Sequence, residues 1–351
     1  MSARTLRMRA VRGAFRPRAV QWEPFVVEKT GSTNRLWRGS GPPGEWLLKW
    51  YRYPGEGVHP ESEISQFLQE QNFRGVAEFG ARLDAHGPGG WRTVAFVQRW
   101  LEGCSVWEKA VVAMRTGARE KVFARELGRA VGRLHGALGS GASGTAFCAE
   151  PWGVAAHTAW MGRISESIKR FKGACCGGCP PGLDGASWRE AKQLGESGMK
   201  HAERRLRELA GVKVGGEVIR IHGDLHLGQI LAVATSEGGA EFVMLDFEGE
   251  PVRSIAERRA KDSPLRDVAG MFRSFAYAAA VAGAPLETSE LWSAEFLEGW
   301  KEHMALPEGD WRGFLAGLVW EKAVYEAEYE MRHRPDWLWI PLRVLSEGDS
   351  V

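Results

Sequence analysis

The stretch Ile221-His222-Gly223-Asp224-Leu225-His226-Leu227-Gly228-Gln229-Ile230, followed by Met244-Leu245-Asp246-Phe247-Glu248, limits the folds open to this chain more than any other part of it. Two apolar runs of strand type, Glu217–Ile221 and Phe242–Leu245, each deliver an aspartate into a loop. A third short run, Ile230–Val233, leaves the first loop, and Gly238 and Gly239 sit where a hairpin can turn back toward Phe242. The expected product is a β-hairpin whose two ends present Asp224, Gln229 and Asp246 to one small volume.

That set suits phosphoryl transfer. One carboxylate orients and deprotonates a substrate hydroxyl, while an amide oxygen and a second carboxylate hold Mg2+ against nucleotide phosphates. Protein kinases place the base and a metal ligand as His-Arg-Asp-x-x-x-x-Asn and add a metal ligand from Asp-Phe-Gly. Asp224 and Gln229 keep the same spacing, and Asp246-Phe247-Glu248 stands in the place of Asp-Phe-Gly. Glutamine offers the same kind of amide oxygen as asparagine. Asp224 is therefore the expected catalytic base, and Gln229 and Asp246 are the expected metal ligands.

These residues resemble the aminoglycoside-phosphotransferase-like kinases, and within them the bacterial maltokinases and the actinobacterial glucosamine kinases. The likeness is carried by His222-Gly223-Asp224-x-His226-x-x-Gln229, by Asp246-Phe247-Glu248-Gly249-Glu250-Pro251, by Ser263–Met271, by Lys322–Glu326 and by Arg334–Trp337. It runs from about Phe25 to Leu345. It implies an α+β, bilobal, protein-kinase-like fold, with a mostly β N-lobe over residues 1–100 and a mostly α C-lobe over residues 101–351. It also implies ATP and Mg2+ in a cleft that closes on a sugar acceptor. Maltose, phosphorylated at its anomeric hydroxyl, is the first choice. Glucosamine, another amino sugar or an aminoglycoside is the alternative, and a nucleotide-binding scaffold without turnover is the second alternative. Members of that branch carry an N-terminal cap, whereas here about 24 residues precede Phe25. The cap is expected to be missing or vestigial, and assembly with a trehalose-synthase-type partner becomes uncertain together with the substrate.

The expected nucleotide contacts come early in the chain. Lys49 lies inside the apolar strand Glu45–Tyr51, where a lysine is paired or snorkels. The resemblance gives it the nucleotide phosphates and a helix glutamate as partners. A helix opens at Pro60, a favoured first helical position, with Ile64, Phe67 and Leu68 on its apolar face. Glu61 and Glu63 both flank that face, so periodicity does not choose between them; the resemblance favours Glu63. Phe25–Glu28 reads as a strand, followed by a polar turn whose Ser32 and Thr33 would lie over phosphates. Val76–Asp84 and Trp91–Trp100 read as a hairpin, and chain order places Gln98, Arg99 and Leu101 at the hinge beside the adenine.

Helical periodicity follows, near Val122–His135, at 153–172, at 187–210 and at Trp311–Arg332. His135 reads as a core histidine, and Asp267 as a structural residue at a helix start. Cys176-x-x-Cys179 is half of a zinc pattern, and no second Cys pair completes it, so Gly173–Gly182 reads as a flexible loop. The resemblance lines the acceptor groove with Tyr325, Glu326, Glu330 and Trp337, and adds His226, Glu248 and Arg266 to the substrate set. Sugar hydroxyls need paired acceptors beside a flat apolar platform.

A net charge of +2 carries no nucleic-acid signature over the whole chain, and nucleic acid is not an expected partner. Arg4, Arg7, Arg9, Arg12, Arg16 and Arg18 could form a transit peptide or a phosphate-binding arm. The alternation of Leu6, Met8 and Ala10 with Arg7 and Arg9 instead suits an edge strand. No apolar run long enough to span a bilayer occurs, no secretory segment follows the start, and 5 Cys make no even disulfide framework. A reducing, cytoplasmic setting is expected.

Overall fold

The computed structural model describes residues 6–10, 15, 19–25, 34–41, 44–117, 121–235, 239–251 and 253–347. They form an α+β fold, with an antiparallel sheet early in the chain and helices later. The chain divides into two compact units, but not by a single cut near residue 100. The first unit holds Met1–Val106, His222–Asp224 and Gly228–Ala260; the second holds Trp107–Ile221, Leu225–Leu227 and Lys261–Val351. The sheet thus keeps the Asp224 turn and the Asp246 loop for itself, because their hairpin pairs with a strand of the first unit.

The first unit is built on six antiparallel strands in the order β1-β5-β6-β4-β3-β2. They are β1 (Leu6–Ala10), β2 (Gln21–Phe25), β3 (Arg35–Ser40), β4 (Trp46–Trp50), β5 (Phe79–Gly87) and β6 (Gly90–Arg99). Residues 6–10 of the arginine-rich start do form an edge strand, β1, paired among the described residues with β5. Its Leu6 and Met8 are exposed, while Arg7 lies over the ring of Trp91. Of the expected strand Phe25–Glu28 only Phe25 lies among the described residues; it closes β2, whose antiparallel register with β3 sets Gln21 opposite Ser40 and Phe25 opposite Leu36. Ser32 and Thr33 lie outside the described residues. Trp46, fully buried, packs with Phe15, Val20, Ala81 and Val97 on one side of the sheet; Tyr51, Phe79 and Phe96 form a second cluster.

Helix α1 (Pro60–Glu70) opens on proline and buries Glu61, Ile64, Ser65 and Leu68, a stripe of helical spacing. A second, small sheet contains β7 (Cys104–Ser105), β10 (Ile230–Ala234) and β11 (Ala240–Met244) in the order β11-β10-β7. The short helix α6 (Ile255–Arg259) follows, started by a capping box between Ser254 and Glu257.

The second unit is helical: α2 (Val106–Thr116, of which Val106 belongs to the first unit), α3 (Lys121–Leu138), α4 (Val154–Cys175), α5 (Gly185–Ala210), α7 (Leu265–Ala282), α8 (Leu286–Lys301), α9 (Trp311–His333) and α10 (Trp339–Glu347). The expected strand Glu217–Ile221 shrinks to β9 (Glu217–Val218), paired with β8 (Glu150–Pro151). Ile219 continues it only as an isolated antiparallel bridge, exchanging both backbone hydrogen bonds with Asp262 at 3.0 and 2.9 Å, and Ile221 is buried beyond it. Helices α3 and α8 meet backbone to backbone, since a Cβ on Gly128 would lie 2.0 Å from the carbonyl oxygen of Phe296 and one on Gly299 would lie 2.0 Å from that of Arg125. Beside this contact, the indole of Trp300 donates to His135 Nδ1 at 2.9 Å, and His135 Nε2 lies 3.1 Å from Asp267. Indole can only donate, so Nε2 carries the ring proton and donates to Asp267. No helix among the described residues is long and apolar enough to cross a membrane.

Candidate active site

Lys49 and Asp246 anchor the site. The ammonium donates to Asp246 Oδ1 at 2.6 Å, to Glu61 Oε1 at 2.8 Å and to Glu248 Oε1 at 2.8 Å. Gln229 Nε2 donates to the other oxygen of Asp246 at 3.2 Å, which turns its amide oxygen away from that bond. Burial works against the lysine charge, but Asp246, Glu61 and Glu248 outweigh it and hold the ammonium well above the ordinary lysine range. Burial also pushes up the Asp246 carboxyl; the charge of Lys49 and its hydrogen bond overcome that and hold it well below the usual carboxylate range. Burial pushes the Glu61 and Glu248 carboxyls upward while Lys49 pulls them back. Both Glu61 oxygens accept from donors, Lys49 and the Tyr51 hydroxyl, each at 2.8 Å. Neither oxygen needs a proton of its own, so we take Glu61 as ionised.

Asp246 sits in a left-handed conformation, φ 62°. Such a conformation costs a non-glycine residue about 1 kcal/mol and gathers at functional loops. The Asp224 turn is fastened to this loop by His222. Its Nε2 lies 2.8 Å from the carbonyl oxygen of Leu245, an acceptor only, so Nε2 carries the proton and Nδ1 accepts from the Asp224 N–H at 3.4 Å. The His222 ring lies 4.8 Å from that of Phe247. Gly223 (φ 82°) lets the turn close, and a Cβ there would stand 3.5 Å from Gly249 Cα. Asp224, Gln229 and Asp246 are thus brought to one part of the first unit.

Glu61, Asp246 and Glu248 each place a carboxylate oxygen within 4.8 Å of the others. With one lysine among them, the cluster keeps an excess of negative charge and offers only oxygen donors. Together with the Gln229 amide, that donor set fits a hard divalent cation such as Mg2+.

Several expected residues are placed elsewhere. Glu63 is not the partner of Lys49; it accepts from Arg259 Nε at 2.9 Å and Nη2 at 2.7 Å. Glu61 shares the buried stripe of Ile64 and Leu68, and Glu63 lies off it. Glu248, expected among the substrate residues, instead accepts from Lys49 and Asn34, each at 2.8 Å. Of the residues expected beside the adenine, Gln98 is buried in β6, Arg99 stacks on Trp46 and pairs with Glu78, and the N–H groups of Arg99 and Trp100 donate to the carbonyls of Glu78 and Glu45. Leu101 lies just past the end of β6.

In the second unit, Glu326 accepts from Arg273 at 2.8 Å, and buried Glu330 accepts from Tyr277 at 3.1 Å and from Arg334. Trp337 stands between Trp107, Tyr277 and Arg334. Tyr325, one residue's rotation away on α9, meets Lys322 and Tyr329 instead. Arg266 is held by Asp262 and Glu321, so its guanidinium is a strut between α7 and α9 rather than an open ligand. His226 is half-buried in the turn after Asp224. Cys175, Cys176 and Cys179 are free thiols, and the first of them closes α4.

No protein-family model matches the chain. It is 26% identical to a glucosamine kinase of Mycolicibacterium smegmatis, over 87% of this chain and 76% of that protein. It is 27% identical to a glucosamine kinase of Streptacidiphilus jiangxiensis, over 71% of this chain but 55% of that protein, little more than half its length. Among solved structures, a glucosamine kinase in complex with glucosamine, ADP and inorganic phosphate superposes with a TM-score of 0.68 at 22% identity, covering 97% of this chain and 79% of the other. An amicoumacin kinase bound to AMP-PNP and Ca2+ superposes with a TM-score of 0.55 at 13% identity, covering 95% and 89%.

The chain shares the α+β fold of these glucosamine and amicoumacin kinases. Within this kinase fold, sequence reasoning missed Glu61, Tyr51, His222 and the lysine-facing role of Glu248. Glu61 had a signal, its phase with Ile64 and Leu68, opposed by the competing phase of Glu63 with Phe67. His222 had none beyond its place in the motif.

Proposed function

We propose that this protein transfers the γ-phosphoryl group of ATP to a hydroxyl of an amino sugar, with glucosamine as the first choice. It is a phosphotransferase with an alcohol group as acceptor. The observation that carries the chemistry is the meeting of Lys49, Asp246 and Gln229 beside the turn that bears Asp224. The substrate class rests on the relatives, which are glucosamine kinases. Maltose, first choice on the sequence resemblance, gives way to the amino-sugar alternative for that reason.

Lys49 orients the nucleotide phosphates, and Gln229 and Asp246 would hold Mg2+. When bound, the ion neutralises charge on the phosphate oxygens. Asp224 accepts the proton of the acceptor hydroxyl as its oxygen attacks in line; a phosphate ester forms and ADP leaves. His222 sets the Asp224 turn against the Asp246 loop. On the acceptor side, Glu326 and Glu330 stand with the rings of Tyr277 and Trp337, and an ammonium-bearing acceptor would have to share these carboxylates with Arg273 and Arg334, which already pair with them. The test is ATP consumption with glucosamine, glucose, maltose and kanamycin, with Asp224→Asn as control. Turnover greatest with glucosamine, reduced about 10²- to 10⁴-fold in the variant, is the expected result. Preference for maltose would restore the earlier choice, and nucleotide binding without turnover on any acceptor would favour the scaffold.

A further inference from the structure

Tyr51 follows Lys49 by two positions, so both side chains leave the same face of one extended segment. Tyr51 is 3% exposed, and its N–H donates to the Val94 carbonyl, which continues the sheet past β4. Its hydroxyl donates to Glu61 Oε2 at 2.8 Å, while Lys49 donates to Glu61 Oε1 at 2.8 Å. Its ring stacks on His59, centroids 3.8 Å apart at 23°. His59 is the residue that precedes α1, and its N–H donates to Thr93 Oγ1, which in turn donates to Asp84. Tyr51 therefore grips the start of α1 at two points, the residue before the helix and the helix's second residue.

We infer that Tyr51 is a positioning residue for nucleotide binding: its hydroxyl holds Glu61 in place, and Glu61 in turn shares Lys49 with the Asp246 loop. This rests on the reading of Lys49 as the phosphate contact. Lys49 has three carboxylates to choose from, one on α1 and two on the loop. Without the hydroxyl, Glu61 Oε2 is left buried and under-satisfied, and the Glu61 bond to Lys49 loosens. The ammonium then moves toward Asp246 and Glu248. That shift weakens nucleotide binding by withdrawing the lysine from the phosphates.

The test compares wild type, Tyr51→Phe, Tyr51→Leu and Lys49→Ala in the full chain. Calorimetry gives the Mg-ADP dissociation constant, kinetics gives the KM for ATP and for the acceptor, and acylation of the nucleotide-free protein gives the reactivity of Lys49. Tyr51→Phe keeps the ring and its stack and loses the hydroxyl alone. The expected result is about a tenfold weaker Mg-ADP constant, equivalent to ~1.4 kcal/mol, a similar rise in KM for ATP, an unchanged KM for the acceptor and altered Lys49 acylation. Tyr51→Leu adds loss of the stack and lowers the unfolding midpoint further. A Tyr51→Phe protein with nucleotide binding within twofold of wild type, while Lys49→Ala binds weakly, overturns the inference and spares the site. Unchanged binding in Lys49→Ala overturns the reading of the site and the inference with it.

Discussion

Replacing Glu61 and Glu63 separately by glutamine separates the tertiary partner of Lys49 from the one the sequence resemblance favours. Glu61 is fully buried and accepts two hydrogen bonds, one from an ammonium and one from a phenol, each at 2.8 Å. A hydrogen bond to a charged group is worth about 1.5–3 kcal/mol net, and a buried donor left unsatisfied costs about 1–3 kcal/mol. In Glu61→Gln the amide oxygen can still serve Lys49 and the amide NH2 can donate to the Tyr51 oxygen, but the phenol proton is stranded and Lys49 loses a charged acceptor. Lys49 keeps Asp246 and Glu248, which limits the damage. The net cost comes to ~2–3 kcal/mol, or roughly 6–9 °C in midpoint at about 3 °C per kcal/mol for a unit of this size. Glu63→Gln breaks a two-bond pair with Arg259 whose side chains are 17% and 36% exposed. Such a pair is worth about 0.5–1 kcal/mol after solvent screening, or roughly 2–3 °C on the same scale. Thermal unfolding without ligand reads both, and KM for ATP should rise in the Glu61 variant alone. Equal midpoints, or a larger loss in Glu63→Gln, would refute the reasoning.

Trp300→Phe leaves His135 Nδ1 buried without its donor and should destabilise the protein by ~1–3 kcal/mol, read by urea unfolding; a neutral result would mean the triad is slack. Burial, helped by the nearby Arg258 and Lys49 charges, holds the His59 imidazole well below its ordinary range. The unfolded chain takes up that proton near pH 6.5 and the folded chain does not, so stability is complete above that pH and falls below it until folded His59 protonates, by at most ~1.4 kcal/mol per pH unit. His59→Phe, which can keep the stack on Tyr51, should flatten that part of the acid profile; an unchanged slope would count against it. Burial pushes the Cys175 thiol up to about 11, whereas Cys104, Cys176 and Cys179 are exposed. Peptide mapping after brief iodoacetamide treatment at neutral pH should find Cys175 modified last, and early modification there would contradict its burial.

Much of the site was legible because it is local. Asp224 and Gln229 are joined by one turn and one short 3-10 segment, and Asp246 returns to them through a hairpin of paired five-residue strands, so spacing and strand pattern brought the three together before any packing was known. Helices α1, α3, α4, α5 and α9 were legible for the same reason, down to the proline that opens α1, whereas α2, α8 and α10 were not marked out. The acids of α9 were visible too, but not their partners: Arg273 and Tyr277 come from α7, and sequence spacing says nothing about which helix lies opposite.

By itself the sequence determined which residue types enter each loop and in what order, because those properties follow from chain distance and backbone period. Only the tertiary structure decided that Glu61 rather than Glu63 meets Lys49, that Tyr51 completes its hydrogen bonds, that Glu248 joins the lysine, and that the first unit takes the Asp246 loop. Each of these depends on how a helix is rotated about its axis or on which strands pair across a long stretch of chain. Burial energy summed over many side chains settles both, and no local spacing encodes that sum.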